Sequence, residues 1–571
     1  MMQNSISRAS ALLVALTSLP SSTNASPVLS RRQASNATMV DDFEKIEPSP
    51  KLNWVPCFQN FTCTRLEVPL DYEDLAAGTT DIAFIKWTSP QTSNSSANAT
   101  APQDILLNPG GPGGSGVDYL LKAINYLILA GGSQNNYVGF DPRGVNNSGP
   151  SLSCFPENQK HTQLLYERQQ QLGVQIDDPM SVVDVWRRGA AFGEFCTQYH
   201  GVNGSARYAN TVAVATDMLH YTELIAEEKG EDPGKSELWY WGASYGTVLG
   251  ATFASLFPQR VGRMILDGVV DSEDYYAGKW ETNLADGDAA VESFFTYCFD
   301  AGKEKCPVWA ESPEAIQEKY DAIIESLKEK PAIVSNPELV DTPSIFTYRD
   351  FQTLLVSFPY VPDIYWPALA SALPILESGN ADAIANATLT GFWRDTCSPL
   401  ATQSKQLEPL PFISCNDANG RLLLDTLPKF QDHVDMLYNS SRYMGEGWAY
   451  IGPAQCQNLG FRPPKSQVFE GIPSAKNTSH PILFASNTID PVTPLRSAEK
   501  MQGMFGGAGL LVQEAVGHST QSTLSKCTIG HFQEYFSTGA LPQEGTVCEA
   551  DTLPFQETEG AGGARGGDTL F

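Results

Sequence analysis

The sequence Gly242-Ala243-Ser244-Tyr245-Gly246 has the clearest chemical meaning of any stretch in this chain. A neutral serine hydroxyl is a poor nucleophile near neutral pH. Acyl transfer through it needs an imidazole to accept its proton and a carboxylate to orient that imidazole. The five-residue pattern alone arises often by chance. Here it follows the apolar run Leu238-Trp239-Tyr240-Trp241 and opens an apolar, small-residue stretch at 247–257. Strand, sharp turn and helix in that order expose a serine hydroxyl above a sheet, and small flanking residues keep the turn free of backbone clashes. Ser244 is the expected nucleophile.

On such a scaffold the chain order is serine, acid, histidine. Of seven histidines only His433, His480, His518 and His531 follow Ser244. His518 is the expected base, because Val516-Gly517-His518-Ser519 closes an apolar run at 510–516 with a glycine turn. Asp490, in a loop directly after the apolar run 482–485, is the expected orienting acid, with Asp267 as its rival at the end of an earlier strand. Asp141 is assigned to its own turn together with Arg143. An oxyanion needs backbone N–H donors, one from the residue after the nucleophile and one from the loop after the third strand. These are Tyr245 and either Gly110 or Gly111 of Asn108-Pro109-Gly110-Gly111-Pro112-Gly113-Gly114-Ser115-Gly116. That loop lacks the Gly-Lys-Ser/Thr ending of a phosphate loop, and its prolines fit a dinucleotide fingerprint poorly. No cofactor is expected, and no zinc site, since no Cys-x-x-Cys or clustered histidine pattern occurs.

The elements that must hold these residues are short apolar runs bounded by turn formers, at 64–70, 81–87, 104–107, 137–140, 237–241, 263–266, 481–485 and 509–512. Helical stretches between them predict an α/β class, with a mostly parallel central sheet flanked by helices. From 271 to 473 the alternation fades into aromatic, proline-containing and helical sequence, such as 314–328, read as a large and mainly helical cap insertion. The expected organisation is a signal peptide at 1–25, a propeptide or disordered leader at 26–50, catalytic core at 51–270 and 474–550 around the cap, and a Gly-rich tail at 551–571.

Composition agrees. The 571 residues are 42% hydrophobic, enough for a large packed core. A net charge of −28, from 37 basic and 65 acidic residues, opposes binding to nucleic acid or anionic lipid. Arg8, the run Ala11-Leu12-Leu13-Val14-Ala15-Leu16 and small residues through Ala25 make a secretory signal, and no later run is long enough to be a membrane anchor. Arg31-Arg32 is either a processing site or an exposed pair. Nine Asn-x-Ser/Thr sequons follow the signal, at Asn36, Asn60, Asn94, Asn98, Asn146, Asn203, Asn386, Asn439 and Asn477, so N-glycans and an extracellular location are expected. Eleven cysteines suit an oxidising compartment. The expected pairs are Cys57–Cys63, Cys298–Cys306 and Cys527–Cys548, then Cys154–Cys196 and Cys415–Cys456. Cys397 is left free unless it displaces a member of the last pair.

The glycine loop, Asp141-Pro142-Arg143-Gly144, the Ser244 motif with Thr247, Leu266-Asp267-Gly268-Val269-Val270-Asp271, Asp490-Pro491-Val492-Thr493-Pro494 and Gly517-His518 together resemble the proline iminopeptidase and tripeptidyl aminopeptidase group of secreted serine peptidases with the α/β-hydrolase fold. The resemblance covers most of the chain after the signal. It implies the same triad and an aminopeptidase that releases tripeptides or N-terminal prolyl residues through an acyl-enzyme. It also implies acidic residues near the cap that bind the substrate's free amine, for which Asp271, Glu273 and Asp274 stand where the cap begins. Asn108-Pro109 replaces the His-Gly of the single-residue iminopeptidases, so the chain looks closer to the tripeptidyl type. An esterase or lactonase acting on a small secreted ester is the competing expectation, because the same triad serves both chemistries.

Overall fold

The first predicted strands form the edge of a sheet, where a short β1 (Val55–Cys57) and β2 (Phe61–Pro69) make a hairpin closed by the Cys57–Cys63 disulfide. The protein is described here by a computed structural model covering residues 39–90, 102–155, 173–338, 343–382 and 409–556. β3 (Thr79–Trp87) continues the antiparallel edge. Next come β4 (Asp104–Asn108), α1 (Gly116–Gly131), β5 (Asn136–Phe140), α2 (Pro179–His200), α3 (Thr211–Lys229), β6 (Leu238–Ala243), α4 (Tyr245–Leu256) and β7 (Val261–Asp267). Mostly helical chain follows as α5 (Ser272–Ala277), α6 (Gly287–Ala301), α7 (Pro313–Glu329), the small ladder β8 (Ala332–Val334) with β9 (Ser344–Phe346), α8 (Tyr348–Leu355), α9 (Pro362–Glu377), α10 (Pro409–Ala418), α11 (Leu427–Ser440) and α12 (Gly445–Trp448). The sheet then resumes with β10 (Leu483–Ile489), α13 (Leu495–Gly503), β11 (Gly509–Val516), α14 (Lys526–Thr538) and β12 (Val547–Glu549).

Ten strands form one sheet in the order β1-β2-β3-β5-β4-β6-β7-β10-β11-β12. From β5 to β12 every pairing is parallel. A parallel sheet is covered on both faces, so its strands read as unbroken apolar runs rather than alternating ones. β4 shows why. Leu106 packs in a cluster with Val214 and Met218 of α3 and Leu249 and Phe253 of α4, whereas Ile105 and Leu107 pack with Leu120 of α1 and Phe532 of α14 on the opposite face. β10 lies directly beside β7 although residues 268–482 intervene. That intervening chain has its own aromatic core, including Phe294, Phe295, Tyr320 and Trp366, which also takes in Val185 and Phe192 of α2.

All five expected disulfides are formed: Cys57–Cys63, Cys154–Cys196, Cys298–Cys306, Cys415–Cys456 and Cys527–Cys548. Cys397, the signal, the Arg31-Arg32 pair and the Gly-rich tail from 557 lie outside the described residues. Among the described residues no helix is long and apolar enough to cross a membrane.

Candidate active site

Strand β6 ends at Ala243 and helix α4 begins at Tyr245, so Ser244 alone makes the turn. Its backbone is held at φ 56°, ψ −128°, a region that residues with a side chain seldom occupy and that surrounding structure must enforce. The enforcement is visible: the Ser244 N–H donates to the Asp267 carbonyl at 3.0 Å. Gly242 and Gly246 let strand and helix backbones approach, for a Cβ at Gly242 would lie 2.4 Å from the Gly246 carbonyl oxygen.

The glycine loop after β4 packs onto this elbow. At Gly110 a Cβ would sit 2.6 Å from the Ala243 carbonyl and 2.7 Å from Ser244 Cβ. The Gly110 N–H is already engaged, donating to Asn108 Oδ1 at 3.0 Å. The Gly111 N–H has no partner among the described residues, and Gly111 borders the same cleft as Ser244 and Tyr245. Of the two expected loop donors, the geometry therefore leaves Gly111 available and commits Gly110 to holding the loop in place.

Asp490 and His518 come together at the ends of β10 and β11, on the edge of the sheet where β6 delivers Ser244. His518 Nδ1 lies 3.0 and 3.1 Å from the two Asp490 oxygens. Both side chains are buried. Asp490 also accepts the N–H groups of Val492 at 3.1 Å, Thr493 at 2.8 Å and Ser519 at 2.8 Å. Of the two ring nitrogens, Nδ1 is the one placed to donate to the carboxylate, and Nε2 is turned away from it. Two contacts had no signal in the sequence. Thr493 Oγ1 stands 3.1 Å from His518 Nδ1. Tyr360, from the helical region, accepts the His518 N–H on its carbonyl at 2.9 Å and sets its ring edge-on to the imidazole at 4.8 Å between centroids.

The remaining candidates are engaged elsewhere. Asp267 receives the Thr520 N–H at 2.8 Å and hydroxyl at 2.7 Å, and acts on the imidazole as a nearby charge. Burial pushes its carboxyl up to about 6. Asp141 does hold its turn, accepting from Ser115 Oγ, the Val117 N–H and Asn147. Arg143 is no part of that turn: it pairs with Asp217 through two bonds of 2.7 and 2.8 Å and donates to the Leu70 and Pro69 carbonyls. Asp271 and Glu273 both meet Lys500 at 2.8 Å, and Asp271 caps α5. Asp274 accepts from the Thr282 N–H and hydroxyl. None of these three acids borders the cleft. His433 is buried and pushed down to about 4 by burial, while His480 turns Nδ1 toward the Val261 carbonyl and Glu237. His531 sits near Cys527 and Cys548, whose sulfurs are bonded to each other rather than free to bind a metal.

The cleft over Ser244 is narrow, about 40 Å³. Tyr275, Trp280, Tyr360 and Trp448 of the helical region line it, together with Val270, Val492, Asn283 and Thr493. Aromatic side chains thus share the cleft with Ser244 and the polar side chains of Asn283 and Thr493.

Residues 105–311 match the family described as alpha/beta hydrolase fold, and residues 441–548 match the TAP-like protein family. The chain has the α/β-hydrolase fold. The described residues between the two matches, 312–338, 343–382 and 409–440, belong to the mostly helical region that includes Tyr360. The hydrolase is 26% identical over 530 residues to serine protease Hip1 of Mycobacterium tuberculosis, across 87% of this chain and 92% of that protein. It is 23% identical over 527 residues to tripeptidyl aminopeptidase of Streptomyces lividans, covering 88% and 87% of the two chains. It is 25% identical over 521 residues to carboxylesterase B of Mycobacterium tuberculosis, covering 88% and 90%. It is thus an enzyme of the serine hydrolase type.

Proposed function

We propose that this enzyme is an exported serine peptidase that releases short peptides or prolyl residues from substrate N-termini, with Ser244 as nucleophile, His518 as base and Asp490 as its orienting acid. The observation that carries the triad is the buried His518–Asp490 pair at 3.0 Å, at the sheet edge shared with the strained Ser244 elbow. Ser244 Oγ attacks the scissile carbonyl and its proton passes to His518 Nε2. The tetrahedral oxyanion takes hydrogen bonds from the Tyr245 and Gly111 amides. His518 then protonates the departing amine, and water cleaves the acyl-enzyme by the reverse sequence.

What supports a peptide substrate is the pair of relatives named as a serine protease and a tripeptidyl aminopeptidase, each aligned along most of its length. The aromatic slot suits an apolar or prolyl residue on the acyl side. Export is supported by the five disulfides, the signal-like start and exposed sequons at Asn60, Asn203, Asn439 and Asn477. Asn146 is a poor glycan acceptor by comparison, since its amide donates to Ser115 at 3.0 Å.

One observation favours a carboxylesterase instead. Asp271, Glu273 and Asp274 are spent on Lys500 and Thr282, which leaves none of them to receive a substrate amine. Assay of free and N-acetylated peptidyl anilides beside aryl esters separates the two. Faster cleavage of the free peptides is expected, whereas ester-only hydrolysis overturns the peptidase. Ser244→Ala should abolish turnover without altering the fold, and appreciable residual hydrolysis would refute the triad.

A further inference from the structure

Asp417, at the end of α10, is a buried acid with no part in the steps above. Its Oδ1 accepts the Thr211 N–H at 2.8 Å, and its Oδ2 accepts the Thr211 hydroxyl at 2.6 Å and the Tyr275 hydroxyl at 2.8 Å. The Thr211 hydroxyl in turn stands 2.6 Å from the Tyr245 hydroxyl. One carboxylate thereby ties together the first turn of α3, the first residue of the elbow helix α4 and the helix α5 that follows β7. Two of the four side chains in this network, Tyr245 and Tyr275, are walls of the cleft, and their rings pack at 5.5 Å between centroids.

We infer that Asp417 is a positioning residue for acyl transfer: through Thr211 and the hydroxyls of Tyr245 and Tyr275 it fixes the cleft wall and holds the Tyr245 amide in register with Ser244. This rests on the Ser244 reading given above. The carboxylate is suited to the work because it accepts from three donors at once, and hydrogen bonds to an ionised acceptor are the stronger kind. The charged and titratable groups facing it are Tyr245, Tyr275, Tyr276 and the Arg421 guanidinium, which donates to the Asp417 carbonyl at 2.9 Å. Burial pushes the Asp417 carboxyl up to about 6. Protonation near that pH replaces the charged acceptor with a neutral one, which weakens the bonds it accepts from Thr211 and Tyr275 and loosens the network.

The test is the pH dependence of kcat on whichever anilide or ester the native enzyme hydrolyses. Protonation of the base alone gives an acid limb of slope one; with Asp417 protonating as well, the native limb should steepen beyond one. Asp417→Asn should lower kcat about 10- to 100-fold with much less change in KM, as expected when a reacting geometry loosens, and return the limb to slope one. Thr211→Val should reproduce that loss, and Thr211→Ser, which keeps the hydroxyl, should restore native kcat. Should Asp417→Asn not fold, Tyr275→Phe and the Thr211 pair carry the same comparison. Folded variants with native kcat and native limb overturn the positioning role while leaving Ser244 intact. Loss of the Ser244 reading would show itself separately, as hydrolysis surviving Ser244→Ala.

Discussion

Asp490 accepts from three backbone amides as well as facing His518, so its position is set by the loop and not by the imidazole alone. Asp267, one strand away, is fixed just as firmly, but by Thr520, and it meets the ring as a nearby charge. The two acids thus separate by partner, not by burial, since both are inaccessible. Asp490→Asn should cost on the order of 10³- to 10⁴-fold in kcat, because an amide facing Nδ1 favours the wrong tautomer. Asp267→Asn should cost about 10-fold or less, acting through the loop that carries Thr520 and through the loss of a nearby charge. Measuring kcat for both variants on one substrate checks the assignment, and a larger loss at Asp267 would reverse it.

The elbow works because two loops touch backbone to backbone. Gly110→Ala drives a methyl to within 2.6 Å of the Ala243 carbonyl at a φ of +103°, so the glycine loop and the elbow cannot both keep their places. Expected are a loss of about 2–4 kcal/mol in stability and a fall in kcat of about 100-fold or more. Gly230→Ala is the control. It also has a positive φ, +71°, but nothing lies within 4 Å of the added methyl, so about 1 kcal/mol is lost and kcat holds. Thermal unfolding and kcat together read out both. These strands and turns were legible in the sequence because a doubly covered parallel strand is an unbroken apolar run, and each catalytic candidate directly follows one. Helix α3 was not legible: Thr211, Val212, Ala213, Val214 and Ala215 are buried in succession, which leaves no polar stripe to mark a 3.6-residue period. Tyr360 carried no signal either, as its contact with His518 exists only once the helical region packs against the sheet. The Asp141-Arg143 turn misled for the opposite reason, since a local charge pair is what adjacent sequence suggests while the arginine reaches Asp217, 74 positions onward.

Across the whole molecule, three buried carboxyls share one thermodynamic consequence. Burial pushes Asp141, Asp267 and Asp417 each up to about 6, against about 4 for an aspartate in an unfolded chain. Between those values the folded chain holds protons that the unfolded chain has released, so stability is greatest below about pH 4 to 5 for these groups and declines as pH rises through 6. Each contributes on the order of 1–3 kcal/mol to that decline. The net charge of −28 acts in the same direction, since acidification relieves its self-repulsion. Salt distinguishes them, because exposed charges are screened within a Debye length of about 10 Å or less at 0.1 M and above, and buried carboxyls are not. Tm measured at low and high ionic strength should therefore be higher at pH 5 than at pH 7.5 in both, with the smaller, salt-resistant part belonging to the buried acids. Asp141→Asn is expected to lower Tm throughout, because it gives up an acceptor for Asn147 or Ser115, but also to flatten the salt-resistant slope. A variant whose Tm falls equally at both pH values would remove Asp141 from the trend.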